Sequence, residues 1–121
     1  MQNLEQVRAR NALAFANTGG VSGKQGGEVI KKVSPLIMNH GMLATAAYSY
    51  SENNEGWRKV FDAIALHLAD KDIAIVSDTV KDRQSLMAFL TETGTTSETL
   101  KLATTETMAW LTYARRFVKK A

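Results

Sequence analysis

The chain has no cysteine, one proline and two histidines among its 121 residues. Without cysteine, disulfides and thiolate metal sites are excluded, and a reducing cytoplasm is compatible with the composition. No apolar run approaches the roughly 20 residues needed to cross a bilayer. The N-terminus, MQNLEQVRAR, has no apolar region behind its charges, so neither a membrane segment nor a secretory signal is expected. Catalytic signatures are missing as well. There is no H-E-x-x-H, nucleophile elbow or metal-spaced cluster, and Asp62, Asp70, Asp72, Asp78 and Asp82 are spread over amphipathic faces. His40, between Asn39 and Gly41, has no visible acid–base partner. His67 falls at the edge of an apolar face, where a structural role is expected. No enzyme, cofactor or metal site is therefore read from the residues.

What remains is a sequence that is 45% hydrophobic with a net charge of +3, of a length that suits one domain with one core. The stretch 34–50, SPLIMNHGMLATAAYSY, is almost uncharged, and at helical period its apolar residues cover more than half of a helix surface. It is expected to be the central helix, starting at Ser34 as cap and Pro35 at the first helical position. Gly41 inside it costs about 1 kcal/mol relative to alanine, which points to close approach of another helix or to a kink.

Before this stretch, 3–17 reads as a helix capped by Asn3, with Leu4, Val7, Asn11, Ala14 and Phe15 on one face. Residues 18–27, TGGVSGKQGG, hold five of the eight glycines and read as a flexible loop. Lys24 does not make it a nucleotide-binding loop, because Gln25 follows and no buried strand precedes. A short helical turn at 28–33 carries Lys31 and Lys32. After a polar break at 51–55, the apolar spacing of Trp57, Val60, Phe61, Ile64, Ala65 and Leu68 predicts a helix over 55–69. Residues 71–76 form an extended connector that tucks in Ile73 and Val76. Ser77 or Asp78 then caps a helix reaching Gly94, and a last helix runs from 95–97 to about 119. Its apolar arc includes Leu100, Ala103, Trp110, Leu111, Ala114 and Val118. Lys101, Thr105, Thr112, Arg116, Lys119 and Lys120 face the other way, a strip suited in part to the helix dipole and in part to phosphates. The fold class is thus all-α: a compact single domain of five to six helices around a central one.

Three segments then resemble a known family: Gln6-x-Arg8-Ala9, Pro35-x-Ile37-x-x-x-Gly41-Met42, and Thr104-x-Glu106 followed by Trp110-Leu111-x-Tyr113-Ala114-Arg115-Arg116-Phe117. Their order and separation are similar to those of the small helical subunit of type III-B CRISPR RNA-targeting assemblies, the Cmr complexes. Met42 stands where the family pattern has leucine, Leu100 where it has an aromatic and Tyr113 where it has tryptophan; all three are apolar exchanges that a core can repack.

The resemblance implies a non-catalytic, cytoplasmic subunit that stacks in several copies beside the backbone and large subunits and takes part in antiviral defence. Its partners would be those subunits, further copies of itself, and guide and target RNA, with no membrane. Arg8, Lys31, Lys32, Arg58, Lys59, Arg115, Arg116, Lys119 and Lys120 are the expected RNA-binding surface, reading charge and shape while guide pairing reads sequence. Two other readings stand beside it. A helical scaffold binding only protein would lack salt-dependent RNA affinity, and a small DNA-binding regulator would need a recognition helix with exposed Arg, Asn or Gln in its first turns. The best turn, at Gly94, leads instead into Thr and Glu.

Overall fold

The computed structural model describes residues 3–17, 23–52 and 55–118, the stretch 23–28 by its backbone. It holds five helices among these residues: α1 (Leu4–Ala16), α2 (Gly23–Ser51), α3 (Glu55–Ala69), α4 (Arg83–Leu90) and α5 (Ser97–Phe117). The all-α reading is borne out. α2 packs on α5, α3 and α4, and α5 packs on α1 and α3 as well, so the centre is a pair of helices, α2 and α5.

α1 starts where its cap predicts, with the Asn3 side chain accepting from the Glu5 N–H at 2.8 Å. Its inward stripe keeps Val7, Asn11 and Phe15 of the predicted face but is rotated away from Leu4 and Ala14. Val7, Ala12 and Phe15 are buried and Arg8 and Asn11 half-buried, while Leu4 and Ala14 are exposed. Two polar residues therefore face the core and require polar partners there.

α2 departs most from expectation. It begins at Gly23, inside the segment read as a loop, and runs through Ser34 and Pro35; residues 18–22 lie outside the described ones. Ser34 is no cap: its hydroxyl is buried without a hydrogen-bond partner among the described residues. Burial of Val29, Ile30, Val33 and Ile37 supplies what glycine and proline propensity withhold. The break comes at Gly41, where φ is +83° and ψ 174°, a conformation reserved for glycine. A Cβ there would meet nothing within 4 Å. The glycine bends the chain and does not make room for a neighbour.

α3 has the predicted bounds, and Trp57, Val60, Phe61, Ile64, Ala65 and Leu68 are all buried. Residues 53 and 54, in the polar break before it, lie outside the described residues. The connector after α3 has no strand and buries Val76. It turns on Ala74, whose φ is +50° and whose N–H reaches the Asp70 carbonyl at 2.7 Å. α4 starts later and stops earlier than predicted. Asp82 and Ser85 form a reciprocal capping box, and Thr91 closes the helix. α5 is capped by Thr96 and buries Ala103, Glu106, Thr107, Trp110, Leu111 and Ala114.

Candidate nucleic-acid interface

Some of the charged residues form a largely buried joint, and others stand half-buried or exposed. The joint forms because α1 and α5 each turn a charge inward. Arg8 donates to Glu106 through Nε at 2.7 Å and Nη2 at 2.8 Å, a bidentate pair. A third Arg8 bond, from Nη1, goes to Glu5 at 3.0 Å. His67, only 2% exposed, places Nε2 at 2.9 Å from the same Glu106 carboxylate. Asn11 Nδ2 sits 2.9 Å from His67 Nδ1 and donates to Asp70 at 3.1 Å. With its proton on Nε2 the imidazole donates to Glu106, and Nδ1 then accepts from Asn11. Burial by itself would raise the Glu106 carboxyl; the hydrogen bonds from Arg8 and His67 outweigh it and bring its pKa down to about 2. Asp70 is also held low, its burial offset by the Asp72 backbone N–H and Asn11. The whole set ties α1, α3 and α5 together and leaves His67 without a free nitrogen for acid–base work.

A second construction surrounds the break in α2. Thr104 Oγ1 accepts from the Met42 N–H at 3.1 Å and donates to the Leu100 carbonyl at 2.9 Å. It thereby satisfies a donor that the bend at Gly41 removes from the helix ladder. Thr45 in turn donates to the Gly41 carbonyl at 2.8 Å. Beside this joint lies a groove of about 520 Å³ between α2 and α5, lined by Ile37, Met38, His40, Gly41, Met42, Leu43, Leu100, Lys101, Thr104 and Thr105.

The predicted RNA-binding residues fall into distinct settings. Arg8 belongs to the buried joint. Arg58, on α3, is exposed but bonded to Glu55 at 2.6 Å and Asp62 at 3.1 Å, and Lys59 lies 3.7 Å from Glu55. Lys31 and Lys32 on α2 and Arg115 and Arg116 at the end of α5 are exposed and form no ion pair with a described residue. Lys119 and Lys120 lie outside the described residues. The predicted set therefore divides by partner: Arg8, Arg58 and Lys59 are paired with carboxylates, and Lys31, Lys32, Arg115 and Arg116 form no ion pair with a described residue. The partnership of Arg8 with Glu106 was not anticipated, because the two are 98 residues apart. A signal for it existed: Glu106 falls between Ala103 and Trp110 on the apolar arc of α5, where an acid needs a buried partner.

The segments that carry the family resemblance meet in these joints. Gln6-x-Arg8-Ala9 meets Thr104-x-Glu106 through the ion pair, and Gly41-Met42 meets it through Thr104. Among the described residues no group of three or more metal-ligating side chains exists, and no helix is long and apolar enough to cross a membrane. Comparison with curated proteins and with solved structures finds no match. A family model described as CRISPR-associated protein (Cas_Cmr5) matches residues 4–121. With its motifs placed at the joints of an all-helical fold and that match spanning nearly the whole chain, this protein belongs to the Cas_Cmr5 family, the small subunit of type III-B CRISPR effector assemblies.

Proposed function

We propose that this protein is a non-catalytic subunit of a Cmr complex that stacks in several copies and helps hold guide and target RNA through exposed cations, in defence against foreign nucleic acid. One observation carries the reading. Lys31, Lys32, Arg115 and Arg116 are exposed and free of ion pairs to described carboxylates, so their charge remains available to phosphates. Of the other candidates, Arg8 serves the fold, Arg58 and Lys59 share their charge with Glu55, and Lys119 and Lys120 extend the basic run that Arg115 and Arg116 begin. Contacts of this kind fix position on a backbone and carry no sequence information. Exposed Leu66 and Leu102 supply apolar surface for neighbouring subunits or copies.

The test is target-RNA capture by the assembled complex, measured across a salt series. Arg115→Glu with Arg116→Glu, and separately Lys31→Glu with Lys32→Glu, should weaken capture. Each should flatten the dependence of log K on log salt by about 0.7–0.9 for every phosphate that is no longer neutralised. Unfolding free energy should stay within about 0.5 kcal/mol of the parent for the lysine pair and fall by about 1–2 kcal/mol for the arginine pair, which reverses charge in the last turn of α5 against the helix dipole. Unchanged capture and slope in both variants would refute RNA holding by these residues.

The protein-only scaffold is favoured by a different observation. A groove of about 360 Å³ between α1 and α3, lined by Ala14, Phe15, Ala63 and Leu66 with Asn11, Lys59, Asp62 and His67, is mainly apolar. It suits a protein side chain better than a phosphate.

A further inference from the structure

The grooves of this small fold differ in charge. That between α1 and α3 sets Lys59 against Asp62, and one beside α4 sets Arg58 and Arg83 against Asp62 and Asp82. In both, carboxylates offset the cations. The groove at the α2 break carries Lys101 and His40 and has no carboxylate in its lining. Lys101 is exposed and makes no ion pair with a described residue. Thr105, exposed on the same wall, adds a hydroxyl that can donate or accept. The floor contributes no side chain at Gly41, and the space a Cβ would take is open, so an extended backbone can lie close to the protein there. At the rim, Met38 is 71% exposed, an apolar and polarizable surface for a ribose or base. Because Thr104 already accepts from the Met42 N–H, attraction for an anion comes from the side chains of the groove.

We propose that the groove between α2 and α5 at Gly41, with Lys101, His40 and Thr105, is a seat for the sugar–phosphate backbone of RNA, separate from the cations at Lys31, Lys32, Arg115 and Arg116. The proposal rests on the RNA-holding function argued above and gives it a defined subsite. Lys101 supplies the fixed charge. His40 and Thr105 hydrogen-bond phosphate or ribose oxygens, and Met38 packs on the sugar or base.

Two measurements on the assembled complex test it. In the first, target or guide RNA carrying 4-thiouridine is photo-crosslinked and the attached peptides are mapped. Crosslinks within 38–43 or 100–105 are expected. Crosslinks confined to other parts of this chain would overturn the groove and leave RNA holding standing, whereas no crosslink to this chain would overturn both. In the second, Lys101→Glu should weaken capture several-fold and flatten the salt dependence by the share of a single phosphate, roughly 0.7–0.9. Lys101→Arg should retain both, and the thermal midpoint should not move. Unchanged capture and slope with Lys101→Glu would overturn the assignment of Lys101 and of the groove as a phosphate seat.

Discussion

Two regions of α5 meet the same residue type with opposite results. In its middle, Glu106 draws Arg8 of α1 into a bidentate pair that also engages His67. At its end, Arg115 and Arg116 remain exposed and unpaired with any described carboxylate. The chemistry of arginine is constant; the neighbours differ. A guanidinium held against a buried carboxylate is committed to the fold, since removing one partner strands the other in a poorly solvated place. One on the surface keeps its charge for phosphate. A count of basic residues therefore overstates the surface open to RNA, and an alanine scan that reads only RNA capture would confuse the two groups.

The comparison breaks first at Glu106. Its replacement by alanine should cost about 3 kcal/mol, read by urea unfolding, because Arg8 and His67 lose their shared acceptor. A cost under about 1 kcal/mol would mean that Arg8 reaches water easily and that the two regions do not differ in kind. The pH dependence sharpens the same point. With its pKa lowered from 4.5 to about 2 in the fold, Glu106 contributes stability in full above the unfolded value, and that contribution is lost as pH falls through the folded one. The parent should lose this part of its stability between about pH 4.5 and 2, and Glu106→Gln should lack that part of the acid limb.

Gly41 comes next. Alanine there meets no steric neighbour, yet must adopt φ of +83°, so Gly41→Ala should cost about 2 kcal/mol from backbone strain. A neutral result would show that α2 can straighten, in which case Thr104 and the groove it borders are not held in place by the bend. The smallest effect is expected at Ala74, whose φ is +50°. Relief of strain in Ala74→Gly, less the added chain entropy of glycine, should stabilise the fold by about 0.5 kcal/mol. Because this change touches neither charged region, RNA capture should not move. Any change there would mean that stability alone alters the functional readout, and the surface variants would then need correction for it.

Much of the fold was legible along the chain. The bounds of α3 follow from apolar residues repeating at three and four positions, the start of α1 from Asn3, and the span of α5 from Thr96 and the broad apolar arc beyond it. The misreadings share a cause. Local propensity at glycine and proline placed a loop over 18–27 and a helix start at Pro35, but burial of Val29, Ile30, Val33 and Ile37 carries the helix back to Gly23. Similarly, Ser77 and Asp78 were plausible caps for α4, but Asp82 wins because Ser85 returns its hydrogen bond. The place of His67 beside an apolar face points to a structural role, and its bonds to Glu106 and Asn11 agree with it.

By itself the sequence determined the class of fold, the order of helices and the family, because periodicity and short motifs are local properties that survive without knowledge of contacts. Only the tertiary structure decided which charges serve the fold and which face solvent. Arg8 and Arg116 are one residue type, each on a helix, and what commits the first to the fold is a carboxylate 98 residues away. That choice depends on how helices cross, which depends on packing over the whole core and is not written in any single stretch.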